Sequence, residues 1–300
     1  MFCCKVLTVR HSLRLWFKGA RPRTLPAAVA PVIVGAACAS IESSAEHVWL
    51  NGFLALVVSL ALQVAVNFAN DYSDGIRGTD IDRVGPMRLV GSGAKQSKEV
   101  KQAAFAAFGV AAVFGLILAI ATSWWLLAVG FACIAAGWFY TGGSKPYGYY
   151  GFGELFVFIF FGLVATTGTT FVVIQKITYT SYVASIAVGS LACALLVINN
   201  LRDIPGDTLA AKKTLAVRLG DKRTRQMYYS LLAVSGLAVV LIAVEIPTAM
   251  IGLLGLFTAI SALRKVVRGA VGKDLIFVLG ATGKTQILTA VALSVGLLLA

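Results

Sequence analysis

The feature that most constrains this chain is a succession of apolar segments of about twenty residues, separated by short polar or charged ones. A helix of that length just crosses the hydrocarbon core of a bilayer. The segments are continuous rather than alternating, which disfavours a membrane β-barrel. Hydrophobic residues make up 58% of the chain, so a water-soluble domain is excluded. The sequence therefore predicts an all-α, polytopic membrane protein.

Nine segments qualify as transmembrane helices. We expect residues 1–20 to form a cytoplasmic interfacial segment, because apolar side chains there alternate with basic ones. Residues 21–300 then form a single membrane domain. The weakest divisions are those between the third and fourth segments and between the seventh and eighth. The nine candidates are 24–42, 48–70, 102–121, 123–141, 151–175, 180–202, 227–245, 246–263 and 282–300.

The basic residues are distributed very unevenly if all nine segments cross. Of the 26 Lys and Arg residues, all but Lys176 then fall on one side. Basic loops stay in the cytoplasm, which predicts a multi-pass protein of the cell membrane with a cytoplasmic N-terminus and an external C-terminus. The same rule accounts for the net charge of +13 without a nucleic-acid partner.

Charged residues are only 13% of the chain, yet they concentrate where the second segment ends. Asn67, Asp71 and Asp74 follow i, i+4, i+7 spacing, which predicts one helix face. Carboxylates at a membrane helix end are costly unless a charge or a metal pairs with them. Mg²⁺ typically joins one or two carboxylates to substrate phosphates. We therefore interpret this stretch as a binding site rather than a solvated acidic loop. It also contains Asn70, Arg77, Asp80 and Arg88.

A second polar motif ends the sixth segment. Asn199 and Asp203 repeat the i, i+4 spacing of an amide and a carboxylate. We expect Pro205-Gly206 to end the helix, so that a turn presents Asp207. Two acidic clusters at one membrane face predict Mg²⁺ ions that bind a lipid diphosphate, with the apolar segments enclosing its tail. The nearest cations that could share this work are Arg77, Arg202, Lys212 and Lys213.

These stretches resemble the UbiA superfamily of intramembrane prenyltransferases. Asn70-Asp-Tyr-Ser-Asp74 resembles its first aspartate-rich motif, and Arg202-Asp-Ile-Pro-Gly-Asp207 its second. Further matches resemble the 1,4-dihydroxy-2-naphthoate polyprenyltransferases of menaquinone synthesis, the MenA group, and run in family order from residue 21 to 220. They include Arg21-Pro-Arg-Thr-Leu-Pro26, Gly85-Pro-Met-Arg-Leu-Val-Gly-Ser-Gly93 and Tyr140-Thr-Gly-Gly-Ser-Lys-Pro-Tyr147.

One departure from the superfamily pattern concerns its last acidic position. Gly78 stands there, and the acid appears at Asp80. The naphthoate branch resembles this chain in that shift, which disfavours the hydroxybenzoate branch. The shift leaves the metal role of Asp80 less well supported than the roles of Asp71 and Asp74.

The resemblance implies nine helices around a central cavity, capped by cytoplasmic loops. It implies that Mg²⁺, held by Asp71, Asp74, Asp203 and Asp207, binds a polyprenyl diphosphate. Diphosphate leaves, and the ring of 1,4-dihydroxy-2-naphthoate attacks the allylic cation with loss of CO₂, giving demethylmenaquinol. Aromatic faces can stabilise such a cation. Tyr140 and Tyr147 are the favoured aromatic residues, and Lys145 is either a positive-inside charge or a contact for an anionic group.

Two alternatives stay open at this point. One is a related enzyme with 4-hydroxybenzoate or a similar acceptor. The other is a transporter of a lipid phosphate or anion, although transporter sites usually lie near mid-membrane on broken helices. Glu154 is interpreted as a helix N-terminal charge. The prenyl chain length, the oligomeric state and the final proton acceptor are not determined by the sequence.

Overall fold

The structure, a computed structural model, describes residues 12–42, 47–78 and 87–300. Those residues form helices and connecting turns without a strand, which confirms the predicted all-α fold. Short 3₁₀ turns occupy Pro22–Thr24, Tyr147–Tyr150 and Pro247–Ile251. The helices are α1 (12–19), α2 (Pro26–Glu42), α3 (His47–Ile76), α4 (Ser97–Ala121), α5 (Leu126–Phe139), α6 (Gly153–Ile174), α7 (Tyr179–Leu209), α8 (Leu215–Glu245), α9 (Gly252–Phe257), α10 (Ile260–Val267) and α11 (Lys273–Leu298).

Six of these helices are long and apolar enough to cross a membrane: α3, α4, α6, α7, α8 and α11. Two bent pairs raise the number to as many as 8 within the described ranges. The pairs are Ser12–Thr24 with α2, bent by 56°, and Pro247–Phe257 with α10, bent by 48°. Helix α5 is apolar but shorter. A count of nine requires α5 to cross as well, so the nine-span count stays a prediction.

Helix α7 is the central helix of the bundle. In its apolar 18-residue stretch 83% of the residues are buried, against 28% in the corresponding stretch of α8. A helix that is apolar on all sides belongs in an interior. Its N-terminus is closed by a capping box, in which Thr178 and Ser181 bond each other's backbone amides at 3.0 and 3.1 Å. Because α2, α6, α8 and α11 all pack against α7, residues at its end are firmly positioned.

Helix α7 continues through Pro205 to Leu209, so the predicted helix end at Pro205-Gly206 is wrong. Proline fits helical φ and removes a single backbone donor, and here that loss falls close to the end of the helix. The last turn closes where Ala210 N donates to Gly206 O at 2.9 Å. Asp203 and Asp207 therefore lie on consecutive turns of one helix face, instead of on a helix and a turn.

Two glycines allow α6 and α7 to approach closely. A Cβ atom on Gly162 would lie 2.7 Å from the Cα of Gly189. Small residues commonly permit such approaches between membrane helices. The contact holds α6 against the central helix, and both helices contribute to the wall of the cavity described next.

Candidate active site

A cavity of about 350 Å³ lies among α2, α3, α4, α5, α6 and α7. Its wall is polar where α3 and α7 end and apolar along their earlier turns. Val58 and Asp74 both line it from α3, and sixteen residues of helix correspond to about 24 Å. The apolar lining includes Val58, Leu62, Val66, Leu118, Leu126, Val129 and Val172, and the polar lining includes Gln63, Asn67, Asn70, Asp74, Arg88, Asn199, Asp203, Asp207 and Lys212.

Helix α3 directs Asn67, Asn70 and Asp74 to the cavity, but not Asp71. Positions i, i+3, i+4 and i+7 all lie on one side of a helix, and Asp71 is at the edge of that side, against the loop that follows α3. The predicted face of Asn67, Asp71 and Asp74 is therefore present on α3, with Asn67 and Asp74 at the cavity and Asp71 bonded to the following loop. The cavity-facing set contains a second amide in place of the first aspartate.

Asp71 instead holds the loop that follows α3. It is fully buried, and its carboxylate oxygens accept hydrogen bonds from the backbone amides of Leu89, at 2.8 Å, and Val90, at 3.0 Å. Arg88, the residue before Leu89, lines the cavity. This geometry gives Asp71 a role in placing Arg88, and its predicted role as a metal ligand stays a prediction.

Asp74 is the centre of a polar network in the cavity wall. Its Oδ1 accepts hydrogen bonds from Lys212 Nζ, at 3.0 Å, and from the Tyr149 hydroxyl, while its Oδ2 lies 3.9 Å from Arg88 Nη2. Such pairing is what a buried carboxylate requires. Burial, and next the Asp74 carboxylate, raise the pKa of Tyr149, so its hydroxyl stays protonated and donates. The Tyr149 ring also packs against two cations, with its centroid 4.5 Å from Lys212 Nζ and 5.3 Å from Arg77 Cζ.

Arg77 does not line the cavity and instead ties α3 to the loop that covers the site. Its guanidinium donates to the backbone carbonyls of Thr141 and Gly143. The Thr141 hydroxyl in turn donates to Asn70 Oδ1 at 2.7 Å. Arg77 thus positions the covering loop, and its predicted substrate contact stays a prediction.

Helix α7 supplies the second acidic pair. Asp203 and Asp207 both line the cavity. Asp203 accepts a bidentate pair of hydrogen bonds from Arg202, with Nε–Oδ1 at 2.7 Å and Nη2–Oδ2 at 2.8 Å. Arg202 Nη2 also donates to Asn199 Oδ1 at 2.9 Å. Arg202 therefore orients Asp203 and does not itself line the cavity.

Three further predicted residues lie outside the cavity lining or outside the described ranges. Lys145 is exposed in the loop after α5. Lys213 contributes its backbone amide, which donates to the Tyr149 carbonyl at 2.9 Å. Asp80 falls in 79–86, beyond the residues that the structure describes.

The carboxylates that face the cavity fit Mg²⁺ that binds together with a phosphate ligand. Within the described ranges, no three His, Cys, Asp or Glu side chains form a ready-made metal-binding group. Asp74, Asp203 and Asp207 nevertheless line one cavity. Mg²⁺ needs only one or two carboxylates when phosphate oxygens and water complete its octahedral shell, so this donor set suits it.

Aromatic rings form the wall next to the polar end. Tyr147 stacks on Phe156 with centroids 4.1 Å apart, and Tyr140 meets Tyr147 edge-on at 5.5 Å. All three line the cavity, as expected for the two tyrosines. Burial raises the pKa of Tyr147, in the loop after α5, so its phenol remains neutral. Its ring thus presents a π-face without an added charge.

Sequence reasoning assigned no site role to several residues that the structure places here. Arg21 lines the cavity in a left-handed backbone conformation, with φ 52°, and its buried Nη2 has no hydrogen-bond partner among the described residues. The sequence feature that could have indicated a site role for Arg21 is its place at the start of the family-like stretch Arg21–Pro26. Tyr149 and Asn200 also line the cavity, and neither has a distinctive spacing in the sequence.

A chain with two aspartate-bearing helix ends at one apolar cavity has the organisation of an intramembrane prenyltransferase. Residues 28–275 match the model of the UbiA prenyltransferase family, and the chain belongs to that family, as the motifs predicted. It is 49% identical to the 1,4-dihydroxy-2-naphthoate octaprenyltransferase of Mycobacterium tuberculosis, over 94% of this chain and 96% of that protein. It is 37% identical to the Escherichia coli protein of the same name, over 72% of each chain.

Solved structures share the fold at much lower sequence identity. A UbiA homologue from Aeropyrum pernix superimposes with a TM-score of 0.69 and 14% identity, over 90% of this chain and 97% of that one. A UbiA homologue from Archaeoglobus fulgidus bound to DMAPP and Mg²⁺ gives 0.60 and 16%, over 93% and 99%. These likenesses confirm the predicted fold class.

Proposed function

We propose that this protein transfers a polyprenyl group from polyprenyl diphosphate to 1,4-dihydroxy-2-naphthoate. Diphosphate and CO₂ are released, and demethylmenaquinol is formed for menaquinone synthesis. The observation that carries the proposal is one cavity with carboxylates from two helices at its polar end and a long apolar lining beyond them. The names of the relatives from Mycobacterium tuberculosis and Escherichia coli support this choice of acceptor.

The polar end is suited to bind a diphosphate. Asp74, Asp203 and Asp207 would hold Mg²⁺, which when bound supplies positive charge that neutralises the phosphate oxygens. The Archaeoglobus fulgidus homologue bound to DMAPP and Mg²⁺ supports this cofactor. Lys212 and Arg88 contact Asp74 from within the same wall. Both cations are therefore within reach of a phosphate that approaches the carboxylates.

The apolar part of the cavity encloses the hydrocarbon chain and excludes water. An allylic cation that forms when diphosphate leaves would otherwise be captured by water. The faces of Tyr140, Tyr147 and Phe156 line the wall beside the carboxylates and can stabilise that cation. Reaction with the aromatic acceptor is then favoured over hydrolysis.

Arg21 is the residue we assign to the carboxylate of the acceptor. Its guanidinium lines the cavity with a buried nitrogen that has no partner in the described chain. A guanidinium binds carboxylates in a planar, bidentate geometry. It thereby orients the ring and offsets the negative charge of the acceptor.

The decisive experiment is an assay of the purified protein in detergent with Mg²⁺, a radiolabelled polyprenyl diphosphate and one of two acceptors. We expect prenylation of 1,4-dihydroxy-2-naphthoate with CO₂ release, and no reaction with 4-hydroxybenzoate. EDTA should stop the reaction and added Mg²⁺ should restore it. Asp74→Asn should lose at least 100-fold in turnover (~3 kcal/mol). Asp274→Asn, at an exposed acid paired with Lys265, is the control that should retain activity.

Product from the benzoate alone would overturn the acceptor assignment. Absence of product with either acceptor would overturn the enzyme assignment and restore the transporter hypothesis. Full activity in EDTA would contradict the metal requirement.

A further inference from the structure

A buried carboxyl group behind the cavity wall has no part in the chemistry above. Glu154 lies at the start of α6, is 5% exposed and does not line the cavity. Its Oε1 accepts a hydrogen bond from Asn200 Nδ2 at 2.9 Å. Its Oε2 is buried and has no hydrogen-bond partner among the described residues. An acidic side chain is costly in such surroundings, and its retention there calls for a functional reason.

Asn200 connects this carboxyl group to the cavity. It is 7% exposed and lines the cavity from α7, three residues before Asp203. In the structure the Asn200 Nδ2 donates to Glu154 Oε1, so Asn200 presents its NH₂ group to Glu154. The amide oxygen therefore points away from Glu154. In the described parts of the chain, the bond to Glu154 is the sole hydrogen bond of the Asn200 side chain.

The chemistry of this part of the wall selects a hydroxyl group. An amide oxygen is an acceptor, so it binds an O–H or N–H group and not a carboxylate or a phosphate. The Tyr140 hydroxyl is nearby, 3.3 Å from where a Cβ on Gly153 would lie, and its ring lines the same wall. A flat ring bearing a hydroxyl group matches these surroundings.

We propose that Asn200 recognises a ring hydroxyl of the aromatic acceptor through its amide oxygen, and that Glu154 is a positioning residue that fixes the orientation of that amide. The assignment rests on the proposed function and specifies how its acceptor is oriented. The hydroxyl faces α7, and the diphosphate is bound by other groups. Loss of either side chain should therefore affect the acceptor and not the donor.

The first test is a comparison of the two Michaelis constants in Glu154→Gln and Asn200→Leu. Glutamine can offer either an amide oxygen or an NH₂ group, so the Asn200 side-chain amide is no longer held in one orientation and can rotate by about 180°. We expect the KM for 1,4-dihydroxy-2-naphthoate to rise about tenfold in both variants, the effect of one hydrogen bond. The KM for geranyl diphosphate should stay within about twofold. Cys193→Ala is the matched control, because the Cys193 thiol donates to the backbone carbonyl of Glu154, at 3.2 Å, and not to its carboxyl group.

The second test separates recognition from a purely structural role. The two monomethyl ethers of 1,4-dihydroxy-2-naphthoate, which lack one O–H each, are compared with the parent compound as ligands. One ether should bind the wild-type protein about tenfold more weakly than the parent. In Asn200→Leu that difference should disappear, as a double-mutant cycle requires for a direct contact.

The assignment is overturned if the ether still binds more weakly than the parent compound in Asn200→Leu, or if both Michaelis constants rise equally. Either result leaves the proposed function in place. A wild-type protein that does not prenylate the naphthoate would overturn the proposed function itself, and this assignment with it. Thermal unfolding of each variant checks that it is folded. If Glu154→Gln does not fold, the comparison of the ethers with the parent compound in Asn200→Leu tests by itself whether Asn200 binds a ring hydroxyl.

Discussion

At the scale of single residues, neighbouring acids of one motif have different surroundings. Asp71 faces the backbone of Leu89 and Val90, whereas Asp74 faces the cavity and its cations. The two acids are three residues apart on one side of α3, so the difference follows from the segments that pack against each of them. It separates a carboxylate that supports a loop from one that is placed to meet a ligand.

We predict that Asp71→Asn and Asp74→Asn differ in their response to Mg²⁺. Asparagine has one acceptor oxygen, so Asp71→Asn removes one of the two backbone hydrogen bonds and weakens the other, and the free energy of unfolding should fall by about 1–3 kcal/mol. Its Mg²⁺ concentration for half-maximal activity should stay within about twofold of wild type, while that of Asp74→Asn rises at least about tenfold. A Mg²⁺ titration of activity measures both. An equal shift in the two variants would restore Asp71 as a metal ligand.

At the scale of helices, the direction of α8 depends on one glycine. Gly220 has φ 73° and ψ 173° inside α8, so a kink separates the first turn from the long remainder of the helix. That first turn begins at Thr214, whose hydroxyl accepts a hydrogen bond from Val217 N at 3.4 Å. Thr214 and Lys212 both line the cavity. The kink therefore links the position of Lys212 to the packing of α8 on α7.

We predict that Gly220→Ala lowers the free energy of unfolding by about 1–3 kcal/mol, because this backbone conformation is essentially restricted to glycine. No atom lies within 4 Å of the added Cβ, so the effect is conformational and not a clash. Gly236→Ala, in the same helix with a nearest contact of 3.5 Å, is the control. It should be neutral or stabilising by up to about 1 kcal/mol. Thermal unfolding in detergent compares them, and equal midpoints would contradict the prediction.

At the scale of the whole molecule, the charge distribution predicts the orientation in the membrane. Lys176, in the turn between α6 and α7, is the one basic residue expected outside the cell under the nine-segment topology. Lys145, between α5 and α6, is expected in the cytoplasm. The two positions are exposed and lie at opposite ends of α6.

Cysteine labelling in intact cells tests this orientation. In a background without the five native cysteines, Lys176→Cys should react with a membrane-impermeant maleimide. Lys145→Cys should react only after the membrane is permeabilised. The reverse pattern would show that the site faces outward, and labelling of both in intact cells would contradict the predicted topology.

The sequence by itself determined the class of fold and the family, because both depend on local information. Helix-length apolar segments predict membrane helices whatever their packing, and the break at Thr122-Ser123 and the helix end at Glu245 lie where the structure has them. The motifs at the ends of α3 and α7 identified the acids and amides that meet at the cavity, including Asp74, Asp203 and Asp207.

Only the tertiary structure decided what each of these side chains contacts. The bonding of Asp71 to the loop after α3, the continuation of α7 through Pro205 and the pairing of Glu154 with Asn200 depend on how distant segments pack. Asn200 and Glu154 are 46 residues apart, so no local pattern links them. A polar side chain in a membrane protein is positioned by the residue that forms its hydrogen bonds or pairs with its charge. That partner is known only once the helices are assembled.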